Sequence, residues 1–246
     1  MCHPGDNSGY NHETEQNVEL PGSGRTIPTV AYGYQPGEQR PAVIILHDIY
    51  GVNPFYRDMA RRLAEQSYAA LLPDLFSREG SIPNRDHEAA ITRLSKSSLA
   101  TQLEDVQSIV TQLKSEGRKV GVIGFCLGGT LVMHATSRTS VIDAGVIYYG
   151  FPVNNNPIPQ RRESPIDEVE QLQAPLIGFF GADDTGVGVH NVLAYKQKAL
   201  AAHKDIDFTI YPSVGHAFLT FEQEGPTVAA SQESWSKALA FLKKHL

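Results

Sequence analysis

Six short, apolar-rich runs, most of them continuously apolar, punctuate this chain, at residues 42–46, 68–72, 120–123, 145–149, 176–180 and 206–211, and each ends in turn-forming or polar residues. Runs of this length without polar alternation suit strands buried on both faces. Between them the apolar period changes: Leu99, Leu103, Val106, Val110 and Leu113 recur at helical spacing, as do Trp235, Leu239 and Leu242 beyond a helix start expected at Gly225-Pro226. Strands that alternate with helices are joined by crossovers that lay the helices over the sheet. This predicts an α/β fold with a mostly parallel central sheet and helices on both faces. Ahead of that rhythm, residues 18–20 and 27–34 flank Pro21-Gly22-Ser23-Gly24 and predict an antiparallel hairpin at the N-terminal edge of the sheet.

A length of 246 residues, 41% of them hydrophobic, is enough for one full core. No linker or repeat divides it. A single domain is expected over 18–246, preceded by a flexible polar arm at 1–17. Residues 76–98 break the rhythm with Arg78, Glu79, Arg85, Asp86, His87, Glu88, Arg93 and Lys96. They predict a surface excursion above the strand ends, either a solvated loop with a short helix or a lid over a substrate.

The net charge is −6, and the basic residues form no stripe, which argues against nucleic acid or an anionic membrane surface as partner. A small molecule is the expected partner. No stretch approaches the ~18 apolar residues of a membrane span, and the two cysteines, Cys2 and Cys126, make no disulfide framework. A cytoplasmic protein is expected. Oligomeric state is not legible.

Residues 124–129, Gly-Phe-Cys-Leu-Gly-Gly, lie where an apolar run gives way to a helical segment. They match Gly-x-nucleophile-x-Gly, the sharp strand-to-helix turn in which the nucleophile stands above the sheet, here with cysteine in place of serine. At so tight a turn a Cβ at Gly124 or Gly128 would collide with its neighbours. Cys126, at the first turn of the next helix, is placed where a thiolate is favoured. Taken alone, the same motif also suits a buried structural cysteine packed beside a helix contact.

Two later strand ends change the balance. After residues 176–180 comes Gly-Ala-Asp-Asp-Thr-Gly-Val at 181–187, and after 206–211 comes Pro-Ser-Val-Gly-His-Ala-Phe at 212–218. The order nucleophile, acid, histidine is that of the α/β-hydrolase fold, and catalytic groups collect at the carboxyl ends of parallel strands. His216 can take the thiol proton and return it to a leaving group while a carboxylate fixes its tautomer. Asp183 and Asp184 both qualify as that carboxylate.

With these residues in view the chain resembles the dienelactone hydrolase family of α/β-hydrolases. The resemblance rests on residues 124–129, on 215–218, on His-Asp-Ile-Tyr-Gly-Val-Asn at 47–53 and on Tyr-Ala-Ala-Leu-Leu-Pro-Asp-Leu at 68–75, and it covers roughly 18–246. It implies cleavage of small esters or lactones through an acyl-thioester on Cys126, with His216 and Asp184 completing a triad, and neither metal nor cofactor. The family pattern Gly-x-x-Asp-x-x-Val favours Asp184 over Asp183. The resemblance further implies an oxyanion hole from the backbone N–H groups of Leu127 and Ile49. It also implies a role for Asp48, where family members carry glutamate, in setting the charge of the resting thiol; an ordinary strand-end carboxylate is the alternative.

Family members that act on anionic dienelactones place an arginine shortly after the histidine motif, where this chain has Leu219 and Thr220. Neutral esters or lactones are therefore expected, bound near Tyr50, Phe151 and Phe218, with Arg85 as a candidate cation from the excursion. Two other functions suit the same sequence: a small-molecule binder or thiol sensor on a hydrolase scaffold, and acyl transfer to an acceptor other than water.

Overall fold

A computed structural model describes residues 14–82 and 86–246. Eight strands, β1 Gln16–Pro21, β2 Thr26–Tyr32, β3 Ala42–Leu46, β4 Ala69–Pro73, β5 Val120–Phe125, β6 Ala144–Tyr148, β7 Leu176–Gly181 and β8 Ile206–Tyr211, form one sheet. Its order is β1-β2-β4-β3-β5-β6-β7-β8. The first three neighbours in that order pair antiparallel and every later pair is parallel. This is the α/β-hydrolase fold, and its six parallel strands coincide with the six apolar runs to within two residues.

The period of two along each strand builds two cores. In β3, Ala42, Ile44 and Leu46 enter one apolar cluster while Val43 and Ile45 enter the other. The first cluster receives α3 Leu99–Ser115, α4 Leu127–Arg138 and α6 Val189–Ala201, through residues such as Val106, Leu131 and Tyr195. The second receives α1 Pro54–Glu65 and α7 Val228–His245, through Tyr56, Met59, Leu63, Ala238 and Leu242. Helices thus cover both faces. A short helix, α5 Pro165–Glu168, packs on the α4 side.

Local chemistry starts these helices. The Asn53 side chain accepts from the N–H groups of Phe55 and Tyr56, with Pro54 at the first helical position of α1. Ser98 caps α3 by accepting from Thr101 N. Helix α7 starts at Val228 rather than at Gly225-Pro226, because Gly225 takes a φ of +134° and the pair closes a turn ahead of the helix.

The N-terminal reading also shifts. Gln16 and Asn17 belong to β1, opposite Ala31 and Val30, and Glu15 accepts from the Tyr32 hydroxyl at 2.8 Å. An edge strand with one solvated face alternates polar residues and so reads as unstructured. Residues 1–13, the greater part of the expected arm, lie outside the described residues.

The excursion contains α2 His87–Lys96, capped by Asp86 accepting from Ala89 N. Most of its charges face solvent, but Arg93 is only 6% exposed. No helix among the described residues is long and apolar enough to cross a membrane.

Candidate active site

Four parallel strands deliver the site. Strand β3 ends at the loop carrying Asp48 and Ile49, β5 at Cys126, β7 at Asp184 and β8 at His216. The fifth contributor is β6, between β5 and β7, whose end carries Tyr149 and Phe151.

The turn at Cys126 is as tight as its glycines require. A Cβ on Gly124 would lie 2.1 Å from the Gly128 carbonyl oxygen, and one on Gly128 would lie 1.9 Å from that of Leu46. Only hydrogen fits at either position. Cys126 itself takes φ 55° and ψ −114°, an uncommon conformation for a residue with a side chain, and α4 begins at the next residue. Its N–H donates to Tyr148 O at 3.0 Å, and its carbonyl accepts from Thr130 N at 3.1 Å. The cysteine is 9% exposed and joins the second apolar cluster, which also holds Tyr149.

Positive φ angles on non-glycine residues gather in this part of the molecule. Besides Cys126 they include Tyr149 at 40°, Ser213 at 59° and Ala217 at 57°.

His216 Nδ1 lies 2.7 Å from Asp184 Oδ2. A carboxylate only accepts, so Nδ1 carries the hydrogen and Nε2 is left as the basic nitrogen. The remaining oxygen of Asp184 accepts from the backbone N–H groups of Gly186 at 3.1 Å and Val187 at 3.0 Å. Burial opposes ionisation of this carboxyl, but the His216 hydrogen bond and charge, with the two backbone donors, hold it below the usual carboxylate range. Asp183 turns outward and is exposed, its N–H spent on Val214 O. The imidazole side chain keeps 30% of its surface exposed. Its ring meets Tyr149 edge-on at 5.0 Å and Phe151 at 5.6 Å between centroids.

The β3 loop is held by polar contacts on both of its central peptides. Asp48 is 1% exposed. Its Oδ1 accepts from Tyr50 N at 2.8 Å, its own N–H donates to the Tyr56 hydroxyl at 3.2 Å, and its Oδ2 has no partner among the described residues. The N–H of Ile49 meets no protein acceptor among the described residues. The N–H of Leu127, at the first position of α4, is one that no intrahelical carbonyl can satisfy.

The expected ligand contacts divide. Tyr50 reaches across to His87 of α2, with 3.2 Å between its hydroxyl and Nδ1, and Phe151 sits beside His216. Phe218 is instead 3% exposed, packed against Tyr148, Tyr149 and Tyr211. It supports the histidine loop from below and is corrected from a substrate contact to a core residue, because the chain turns inward immediately after His216. Arg85 lies outside the described residues. Sequence reasoning missed the burial of Arg93, Arg118 and Arg161. Arg93 donates to Ile49 O and Gly80 O, and Arg161 donates to Ser97 Oγ and Gln102 Oε1. Among the described residues there is no group of three or more His, Cys, Asp or Glu side chains suited to a metal ion.

The sequence profile of the dienelactone hydrolase family matches residues 29–246, nearly nine-tenths of the chain and every strand that supplies the site. The chain belongs to that family. Among its relatives, the carboxymethylenebutenolidase of Rhodococcus opacus is 28% identical over 206 residues, which cover 83% of this chain and 81% of that one. A candidate carboxymethylenebutenolidase of Methylorubrum extorquens is 29% identical over 236 residues, covering 93% and 80%. The crystal structure of a candidate dienelactone hydrolase from Klebsiella pneumoniae superposes with a TM-score of 0.84 at 26% identity, covering 94% of this chain and 98% of that one. The protein is thus a hydrolase of the dienelactone hydrolase type.

Proposed function

We propose that the protein hydrolyses small neutral esters or lactones through a thioester on Cys126, with His216 as general base and acid and Asp184 as its orienting carboxylate. The observation that carries this reading is the half-buried Asp184–His216 hydrogen bond of 2.7 Å, in the same crevice of strand ends as the strained cysteine turn. A structural cysteine needs neither a histidine of fixed tautomer nor the strain.

In the proposed reaction His216 Nε2 takes the Cys126 proton as Sγ attacks the acyl carbon. The C–S bond forms while the carbonyl electrons move onto oxygen, and the N–H groups of Ile49 and Leu127 stabilise that oxyanion. Collapse breaks the C–O bond to the leaving alkoxide, which receives the proton from His216. Water then adds to the thioester, giving its proton to His216, and the C–S bond breaks to return the thiolate, which His216 reprotonates.

Asp48 fits a role in setting the charge of the resting thiol. A buried carboxylate oxygen without a donor is costly, and a hydrogen-bond donor in the crevice would relieve it. The buried arginines Arg93, Arg118 and Arg161 are committed to protein acceptors, Leu219 is fully buried, and Thr220 N donates to Ser231 Oγ of α7. Among the described residues, none of these groups is left to serve as a dedicated cation for a substrate carboxylate. Tyr50 and Phe151 supply apolar walls suited to neutral acyl groups.

The test is to follow product and intact protein mass for wild type and Cys126→Ala on a panel of neutral and anionic esters and lactones. A transient acyl adduct on wild type and no turnover by the variant are expected. Equal turnover by both proteins would refute the thioester route, and a kcat/KM clearly higher for a dienelactone carboxylate than for its neutral ester would refute the substrate preference.

A further inference from the structure

We propose that Arg93, from the excursion helix α2, is a positioning residue for the oxyanion donor Ile49, so that α2 is a working part of the active site. The inference rests on the reading of Ile49 N–H as an oxyanion donor.

The loop leaving β3 begins directly against the cysteine turn: a Cβ on Gly128 would lie 2.8 Å from His47 O. Two residues later two peptide planes decide where Ile49 N–H points. In the Asp48–Ile49 peptide the carbonyl accepts from His47 Nδ1 at 2.8 Å and from Gly51 N at 3.2 Å. His47 Nε2 accepts from Leu75 N at 3.2 Å, which leaves the hydrogen on Nδ1, and burial keeps the ring neutral by lowering its pKa. Carbonyl and N–H of a trans peptide point in opposite directions, so gripping Asp48 O aims Ile49 N–H the other way.

The next peptide is gripped at both ends. Tyr50 N donates to Asp48 Oδ1 at 2.8 Å, and Ile49 O accepts from Arg93 Nη2 at 2.8 Å. Without Arg93 that carbonyl loses its charge-assisted partner and the peptide can rotate about its flanking bonds, carrying Ile49 with it.

The arginine is itself locked. Its Nη1 donates to Gly80 O at 3.0 Å, and its guanidinium lies 4.0 Å from the centroid of Phe76. Phe76 also stacks on the His47 ring at 5.5 Å and 29°. The two side chains that aim Ile49 therefore share one aromatic ring. Arg93 is aimed at this loop by α2, whose two buried residues are Ala90 and Arg93.

Arg93 acts through a backbone donor, so its test is a double-mutant cycle with that donor. Arg93→Met and Arg93→Lys are each combined with an amide-to-ester replacement at Ile49, which deletes the N–H and leaves the side chain. Hydrolysis of a neutral p-nitrophenyl ester gives kcat and KM, and the rate of Cys126 alkylation by iodoacetamide reports the thiol.

The Ile49 ester alone is expected to lower kcat about 10²- to 10³-fold. Arg93→Met is expected to lower it about 10- to 100-fold, the scale of a sub-ångström to 1 Å misplacement. KM and alkylation should stay within about threefold, and the Arg93→Met loss should largely vanish in the ester background. Arg93→Lys, which keeps the charge but one donor arm fewer, should fall between. Kinetics of Arg93→Met within twofold of wild type, or a loss that persists undiminished in the ester background, would overturn the proposal. If Arg93→Met folds poorly, the same two outcomes are read from Arg93→Lys. A wild-type kcat for the Ile49 ester would instead overturn the oxyanion assignment beneath it, so the two failures are distinct.

Discussion

Alanine at Gly128 separates the steric demand of the cysteine turn from its chemistry, since it removes no functional group. The added Cβ would sit 1.9 Å from Leu46 O, and contacts under 3.0 Å are essentially never seen for a real Cβ, so the start of α4 and the end of β3 must separate by about 1.1 Å. Both sides of that contact are backbone, and no side-chain rotation relieves it. Forced overpacking of this kind costs ~1–3 kcal/mol, and for a chain of this length each kcal/mol lowers Tm by about 2–4 °C. The same displacement moves Leu127, at the start of α4, and Cys126 just before it away from Ile49, on the β3 loop. A misplacement of about 1 Å between reacting groups costs about 10²-fold. Gly128→Ala is therefore expected to lower kcat/KM for a neutral p-nitrophenyl ester about 100-fold and to lower Tm measurably by calorimetry. Gly215→Ala is the control, because its Cβ would meet nothing nearer than Asp183 O at 4.0 Å although it adjoins His216. Wild-type kcat/KM and Tm in Gly128→Ala, or equal damage in Gly215→Ala, would refute the steric account.

Asp184→Asn should keep the hydrogen-bonding shape but lose the imposed tautomer, lowering kcat by ~10⁴-fold, while Asp183→Asn stays within about twofold; steady-state hydrolysis by the two variants decides between them. Arg78→Met would strand Asp105, whose fully buried carboxylate otherwise accepts from Arg78 and from Ser23 N. Loss of about 3 kcal/mol of unfolding free energy is expected in urea titration, and a change below about 1 kcal/mol would show that Ser23 N–H suffices. Burial opposes ionisation of Glu168, but hydrogen bonds and charge from His134 and Arg138 hold its carboxyl down to about 2 from an ordinary 4.5. Its stabilising contribution is thus complete above about pH 4.5 and is lost as pH falls toward 2. Glu168→Gln should be less stable at neutral pH and show a shallower acid decline over that window, and superimposable stability–pH curves would exclude the linkage.

The central parallel strands were legible because burial on both faces leaves an uninterrupted apolar run, whereas the edge strand β8 interrupts its run with Asp207 and Thr209. Gln16 and Asn17 escaped for the complementary reason: one face of β1 meets solvent, and their side chains carry no apolar signature. At the site, residues whose side chains carry chemistry stood out through their order at strand ends, and the choice of Asp184 over Asp183 came from the family pattern Gly-x-x-Asp-x-x-Val; the N–H of Val187 donates to the Asp184 carboxylate. Phe218 and Arg93 were misjudged for one reason. A residue's orientation depends on where the chain turns next, and neither the inward turn after His216 nor the inward face of α2 is written in residue type. The pairing of Arg93 with Ala90 three residues earlier, in a helix opened by Asp86, was the available signal.

The positive φ angles at Cys126, Tyr149, Ser213 and Ala217 have a consequence for the order in which the molecule comes apart. Each such conformation on a residue with a Cβ costs roughly 1 kcal/mol or more and persists only while surrounding structure enforces it. These turns hang from β5, β6 and β8, with β7 between the last two, so they can close only after that part of the sheet has assembled, and they open first when it loosens. In rising denaturant, esterase activity should disappear at a lower concentration than the far-ultraviolet helix signal, and on refolding it should return last.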